Sequence, residues 1–392
     1  MHHESATDPR PRVLHLAQPV DAGVARVVTD LTRAQLAAGL HVTVACPDGG
    51  CLADAVRALG ADVHRWEATR SPGPSLVAEV RRLARVVAQA RPDLVHAHSA
   101  KAGLAGRLAV RGRIPTVFQP HAWSFEAVGG VTAALALGWE RWGARWSTRT
   151  VCVSEAERAT GLRAGIRGRW SVIPNGIDSE RFHPAPVDTV RAGIERLAGV
   201  DPAAPLVVCV GRLCRQKGQD VLLTAWDAVL RRVPRARLVL VGDGPDRDAL
   251  RRLAPESVLF AGAVPDAVPW YQAADLVVLP SRWEGMALAP LEAMACGRPV
   301  VVTDVAGARE SLPPGLAPRC LVPADNPAVL SGAVAELLLD PLLRESLGHQ
   351  GRRYVQSTHD VRHTAEAVAG VYRDLLGGKP VVPTECRESI HS

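Results

Sequence analysis

With 392 residues, 47 % of them hydrophobic, the chain suits a soluble globular protein of two domains rather than one. No apolar run approaches a bilayer span, which excludes a transmembrane helix, and the polar start MHHESATDPR lacks the apolar segment of a secretory signal. The net charge of +6 rests almost wholly on arginine, the lysines being Lys101, Lys217 and Lys379. Without a basic block interleaved with aromatics it does not point to nucleic acid.

Residues 1–10 read as a disordered leader. Short apolar runs then alternate with longer amphipathic ones, the pattern of parallel-sheet α/β architecture. In the first half the predicted strands are RVLHLA, HVTVAC, DLVHAH, PTVFQP and RTVCVS, with helices over Gly23–Ala38 and Ser75–Ala90. A turn-rich break covers 175–193, NGIDSERFHPAPVDTVRAG. The second half repeats the alternation with PLVVCVG, ARLVLVG, SVLFAG, DLVVLP and RPVVVTD, and an amphipathic helix covers 359–376. The fold class read from this is α/β, with two doubly wound, Rossmann-like parallel-sheet domains facing a cleft where ligands bind. The expected domains are 11–185 and 203–355, joined by a linker at 186–202, with a terminal helix at 356–378 and a disordered tail at 379–392. The eight cysteines form no C-x-x-C pair and read as buried free thiols in a reducing cytoplasm.

The second-half strand ends carry the chemistry. In VVCVGRLCRQKGQDVLL, Gly211 permits a tight turn, and Arg212 and Lys217 can converge on one anion near a helix start. GDGP (242–245) opens the next helix. In PSRWEGMALAPLEAMACGRP, Glu284 lies in a loop beside Gly285, Met286 and Ala287, and Glu292 lies in the first turns of the following helix. Cations and backbone N–H groups suit a diphosphate, and carboxylates suit sugar hydroxyls on either side of it. That combination describes a nucleotide-sugar.

GRL-x-x-x-KG (211–218), GDGP, the E-x7-E element (284–292), VSEAE and VIPNGID together resemble the retaining GT-B glycosyltransferases of family 4 (glycosyltransferase group 1), in order over roughly residues 11 to 376. The resemblance implies a hexosyltransferase that moves a hexose or N-acetylhexosamine from a nucleotide-sugar, here a UDP-sugar, with retention, no obligatory metal and no cofactor. It assigns donor binding to Gly23, Arg212, Lys217, Gly244, Val264, Glu284, Gly285, Met286, Ala287 and Glu292. Among these, Arg212 and Lys217 clamp the diphosphate and Glu292 holds the ribose. His121, facing the donor sugar, joins Arg212, Lys217 and Glu284 as catalytic. The terminal helix crosses back to the first, acceptor-binding domain. HSAKAGLAGR (98–107) and HAWSF (121–125) point to Lys101 and Trp123 as acceptor contacts, as in the branch that extends lipid-diphosphate-linked glycans. A small-molecule acceptor stays open, as do an idle nucleotide-sugar-binding partner and a nucleotide-sugar hydrolase or epimerase. The implied location is cytoplasmic, with peripheral contact at the inner face of the membrane. DAG at 21–23 departs from the family's paired glycines. His96 and His98 share a strand face and read as structural rather than metal-binding. Trp139, Trp142 and Trp146 fit a core helix better than a membrane-surface one.

Overall fold

A computed structural model describes residues 10–377; residues 1–9 of the expected leader, residue 378 at the end of the expected terminal helix and the expected tail at 379–392 lie outside the described residues. The first domain is a seven-stranded parallel sheet of β1 (Arg12–Ala17), β2 (His41–Cys46), β3 (Asp62–Arg65), β4 (Leu94–His98), β5 (Thr116–Gln119), β6 (Arg149–Cys152) and β7 (Trp170–Val172). Its order is β3-β2-β1-β4-β5-β6-β7. The second holds β8 (Leu206–Val210), β9 (Arg237–Val241), β10 (Val258–Gly262), β11 (Leu276–Leu279), β12 (Val300–Thr303) and β13 (Leu321–Val322), ordered β10-β9-β8-β11-β12-β13. Both orders reverse beside their first strand, so each sheet has a switch point at the carboxyl ends of β1/β4 and of β8/β11. The ten strands read from sequence are all present.

The central strands are apolar because helices cover both faces. On the helix Gln219–Arg232, Leu222, Trp226 and Val229 are fully buried against the second sheet. Each such aliphatic side chain contributes about 1.5–3 kcal/mol. Along β1 the side chains alternate between two core clusters, Leu14 and Leu16 in one, Val13 and Ala17 in the other. The segment 186–202 is more than a linker: it holds the helix Val187–Gly193 and a short turn of helix at Glu195–Leu197.

The terminal segment forms two helices, Pro341–Thr358 and Val361–Leu375. The second returns to the first domain, where Tyr372 is fully buried and reaches Gln35 and His96. Other ties join the domains directly. Glu310 of the second domain accepts the N–H groups of Glu155 (2.7 Å) and Ala156 (2.9 Å) at the start of the helix Glu155–Arg163, where a carboxylate is favoured by unpaired N–H groups and the helix dipole. Ser154 donates from Oγ to the Gly285 carbonyl (2.9 Å), and Asn175 from Nδ2 to that of Met286 (2.7 Å).

Candidate functional site

Strained backbone marks the cleft. Non-glycine residues with positive φ include Ala22 (60°), after β1; Ser99 (74°), after β4; and His121 (57°) with Ala122 (115°), after β5. The left-handed conformation costs roughly 1–2 kcal/mol for such residues, and it persists where the surroundings over-determine it. Ala22 thus keeps the conformation that a glycine would give the departing DAG loop. Next to it, Gly23 approaches Leu288 of the second domain: a Cβ there would lie 3.6 Å from its side chain.

On the opposite wall, Lys217 and Glu284 meet at the switch point of the second sheet. Lys217 Nζ lies 2.5 Å from Glu284 Oε1, which also accepts from Ser281 Oγ at 2.8 Å. Gly218 has φ +65°, and a Cβ there would lie 2.1 Å from the Pro280 carbonyl oxygen, so only glycine lets the Lys217 turn sit on the β11 loop. Among the described residues the N–H groups of Gly285, Met286 and Ala287 donate no hydrogen bond, and they lead into the N-terminus of the helix Leu288–Ala295. An ammonium and unpaired N–H groups on neighbouring loops are groups that can hold an anion. Gly211, Leu213 and Gly242 donate backbone hydrogen bonds to Val241, Asp243 and Gly262. The loops carrying Arg212, Gly244 and Val264 therefore share one rim. Val264 is half-buried against the core.

Glu292 is held from below by the Tyr271 hydroxyl, 2.6 Å from Oε2. Burial raises its pKa, opposed by Tyr271 and by the charges of Arg26 and Arg181. Arg26 belongs to the first domain, so this carboxyl too is addressed from both walls.

The loop of His121 lies against the loop of Glu284. A Cβ on Gly285 would lie 3.0 Å from the Ala122 nitrogen, so the two loops touch. The His121 loop is held by Glu157, which sequence reasoning did not single out. Its Oε1 accepts the Ala122 N–H (2.6 Å) and its Oε2 the Val153 N–H (2.8 Å). Burial raises its pKa to about 7, against the pull of those two N–H groups. VSEAE contains this residue, but its long-range bond to Ala122 has no sequence signal. Arg70, likewise missed, lies in an unpatterned loop after β3; burial and the neighbouring Arg212 charge both lower its pKa. It brings a third cation to the Arg212–Lys217 side of the cleft.

Two expectations need correction. Lys101 is 3 % exposed and its ammonium is paired with Glu79 at 2.6 Å. Trp123 is 1 % exposed, donates from Nε1 to the Glu157 carbonyl (2.8 Å) and stacks on Phe125. Both are core groups that hold loops, not surfaces that an acceptor reaches. The helix Gly130–Gly143 is also less internal than expected. Val131 is 77 % exposed, Leu135 69 % and Trp142 43 %, while Trp139 and Trp146 are half-buried. Among the described residues five cysteines are buried, Cys214 is half-buried and Cys51 exposed, and all seven are free.

The Glycosyltransferase Family 4 model matches residues 22–181 and the Glycosyl transferases group 1 model residues 204–340. The chain is 35 % identical over 218 residues to the lipopolysaccharide core biosynthesis mannosyltransferase LpsB of Rhizobium meliloti, covering 53 % of this chain and 61 % of that one, so this match spans less than two thirds of the relative. It is 32 % identical over 324 residues to the GDP-mannose-dependent alpha-(1-6)-phosphatidylinositol monomannoside mannosyltransferase of Mycobacterium tuberculosis, covering 77 % of this chain and 80 % of that one. Among solved structures, Anabaena Alr3699/HepE in complex with UDP and glucose superposes with a TM-score of 0.77 at 22 % identity, over 92 % of this chain and 98 % of that one. The chain belongs to the group 1, family 4 glycosyltransferases and has their GT-B fold.

Proposed function

We propose that the protein is a retaining hexosyltransferase that moves a hexose from a nucleoside-diphosphate sugar to a hydroxyl of a lipid-linked glycan. The observation that carries this reading is the Lys217–Glu284–Ser281 cluster beside the unpaired N–H groups of 285–287, on a loop that lies against the loop of His121. Cleavage of the anomeric bond builds negative charge on the leaving diphosphate, and preorganised cations and N–H groups stabilise it. Lys217, Arg212 and the loop N–H groups take that role. Glu284 and His121 bind the sugar, and Glu292 offers its carboxylate to the ribose. The departing phosphate deprotonates the acceptor on the same face, so neither Glu284 nor His121 is assigned as a base and no metal or cofactor is needed.

Two features support a donor of this class and an acceptor at a membrane. The Mycobacterium tuberculosis relative is named for GDP-mannose and a phosphatidylinositol monomannoside, and the Rhizobium meliloti one for lipopolysaccharide core biosynthesis, while the structural neighbour was solved with UDP. Uridine, expected from the sequence, and guanosine are therefore the two donors to separate. No helix among the described residues is long and apolar enough to cross a membrane. The helix Gly130–Gly143 instead presents Val131, Leu135 and Trp142 outward, beside exposed Arg141 and Arg145. Its one carboxylate, Glu140, is buried on Arg107. An apolar face with a cationic rim and no exposed acid suits an anionic bilayer surface.

The test incubates the full chain with UDP-hexoses or GDP-mannose and bacterial lipid extract in anionic vesicles, then determines linkage and anomeric configuration. The expected product is a lipid-linked glycan with the donor's anomeric configuration. Trp142→Glu should lower transfer to the vesicle acceptor but not to the same glycan released from its lipid. Nucleotide release without acceptor would establish the hydrolase reading instead, and donor binding without turnover the idle partner.

A further inference from the structure

Behind His121 lies a buried array that the reaction as described leaves unused. His15 on β1 pairs in register with His96 on β4, and Ala17 pairs with His98, so the three histidines occupy one face of the first sheet, each fully buried. His121 Nε2 is 3.2 Å from His98 Nδ1, and His98 Nε2 is 3.0 Å from His15 Nδ1. His15 Nε2 is 2.8 Å from Gln35 Oε1, Gln35 Nε2 is 3.4 Å from the Tyr372 hydroxyl, and that hydroxyl is 2.7 Å from His96 Nδ1. The array runs unbroken from the returning C-terminal helix to the cleft.

A neutral imidazole donates from one ring nitrogen and accepts at the other. One proton position therefore fixes all the others. The direction is set at Gln35, whose amide Nε2 donates to the Tyr372 hydroxyl and leaves the carbonyl Oε1 to accept from His15. The Tyr372 oxygen takes that amide hydrogen, and its own hydrogen goes to His96 Nδ1. The Gln35 carbonyl then accepts from His15 Nε2–H, His15 Nδ1 from His98 Nε2–H, and His98 Nδ1 from His121 Nε2–H. That leaves the lone pair on His121 Nδ1, which has no hydrogen-bond partner among the described residues.

We propose that Tyr372, Gln35, His15 and His98 are positioning residues that hold His121 as its Nε2–H tautomer, with Nδ1 presented as an acceptor for a hydroxyl of the donor sugar. This rests on the reading that His121 faces the hexose. The opposite tautomer would point a hydrogen at that hydroxyl and demand a lone pair from it instead. Burial keeps the array neutral, lowering His15 and His121 to about 4 and holding His96 and His98 well below their ordinary value. Nitrogens of His15, His96 and His98 also lie within 4.8 Å of one another, close enough to suggest a cation. The hydrogen-bond chain accounts for the His15–His98 pair without one.

The test is long-range 1H–15N correlation on the full chain labelled with 15N-histidine, at neutral pH and without substrate. The expected spectrum shows His15, His98 and His121 neutral and protonated on Nε2. Gln35→Leu removes the acceptor for His15 and should give mixed tautomers at His121, with a rise of about 3–10-fold in donor KM, the worth of one ordinary hydrogen bond. Gln35→Glu keeps that acceptor and should restore the wild-type tautomer. A wild-type His121 protonated on Nδ1, or an unchanged His121 in Gln35→Leu, would overturn the proposal, as would a stoichiometric metal in elemental analysis. If Gln35→Leu does not fold, the wild-type spectrum alone decides. Because the spectra need no turnover, failure of the transfer assay and failure of this proposal remain separate results.

Discussion

Lys217→Ala is expected to slow sugar transfer by roughly 10²–10³-fold, the usual loss when one preorganised group is removed from a developing negative charge. Lys217 lies in the loop after β8, in a turn that closes onto the β11 loop through Gly218. Its ammonium is already fixed by Glu284, so it has little reorganisation to undergo as the diphosphate departs. The substitution also frees the Glu284 carboxylate from its cation and should disturb the sugar contact proposed for it. Lys217→Arg should recover only part of the rate, because a planar guanidinium cannot replace a compact ammonium between Glu284 and a phosphate. Steady-state rates on both variants, with folding checked by circular dichroism, measure this directly. A loss below tenfold in Lys217→Ala would remove the leaving-group role from this residue.

The second large effect is on stability. Lys101→Ala should cost about 3–5 kcal/mol, because it leaves the Glu79 carboxylate buried without its cation. The two side chains are each 2 % exposed. Glu79 also accepts from Ser75 Oγ (2.7 Å) and from the Thr69 N–H (3.2 Å), while Lys101 donates to the Ser71 carbonyl (3.2 Å). Together they pin the loop that presents Arg70. Burial pushes the Glu79 carboxyl up, but hydrogen bonds from Lys101, Ser75 and Thr69 outweigh it and hold the group below its ordinary value of 4.5. The folded state therefore binds this proton less readily than the unfolded chain. The contribution is present above pH 4.5 and is lost as the pH falls below it. Replacing both partners, as Lys101→Met with Glu79→Leu, should cost far less than Lys101→Ala alone. Denaturant midpoints for the single and double variants test this. A near-neutral Lys101→Ala would restore the ammonium to a role at the acceptor.

The ten strands legible in the sequence are those whose side chains are mostly buried, since continuous apolar runs identify strands covered on both faces. The three it did not reveal, β3, β7 and β13, are edge strands. DVHR in β3 is half exposed and carries three polar residues of four, and LV in β13 is too short for any periodicity. In the second domain the sequence places Lys217 and Glu284 in local motifs at 211–218 and 284–292, and the fold brings these two together. Glu157 and Arg70 were not legible, because their roles depend on contacts to Ala122 and Arg212 that only the fold creates. Lys101 and Trp123 were misread for the converse reason. A cation and an aromatic near a helix start look like a binding surface until burial shows what surrounds them.

Thermal stability with UDP, GDP, ADP and dTDP, measured on the wild type and on Glu292→Ala, tests the donor pocket most directly. A nucleotide at 100 times its dissociation constant adds about 2.7 kcal/mol to the stability of the protein that binds it. UDP or GDP is expected to shift the wild type, and Glu292→Ala, without the carboxylate proposed for the ribose, to lose most of that shift. If none of the four moves either protein, the Lys217–Glu284 cleft is not a nucleotide-sugar site.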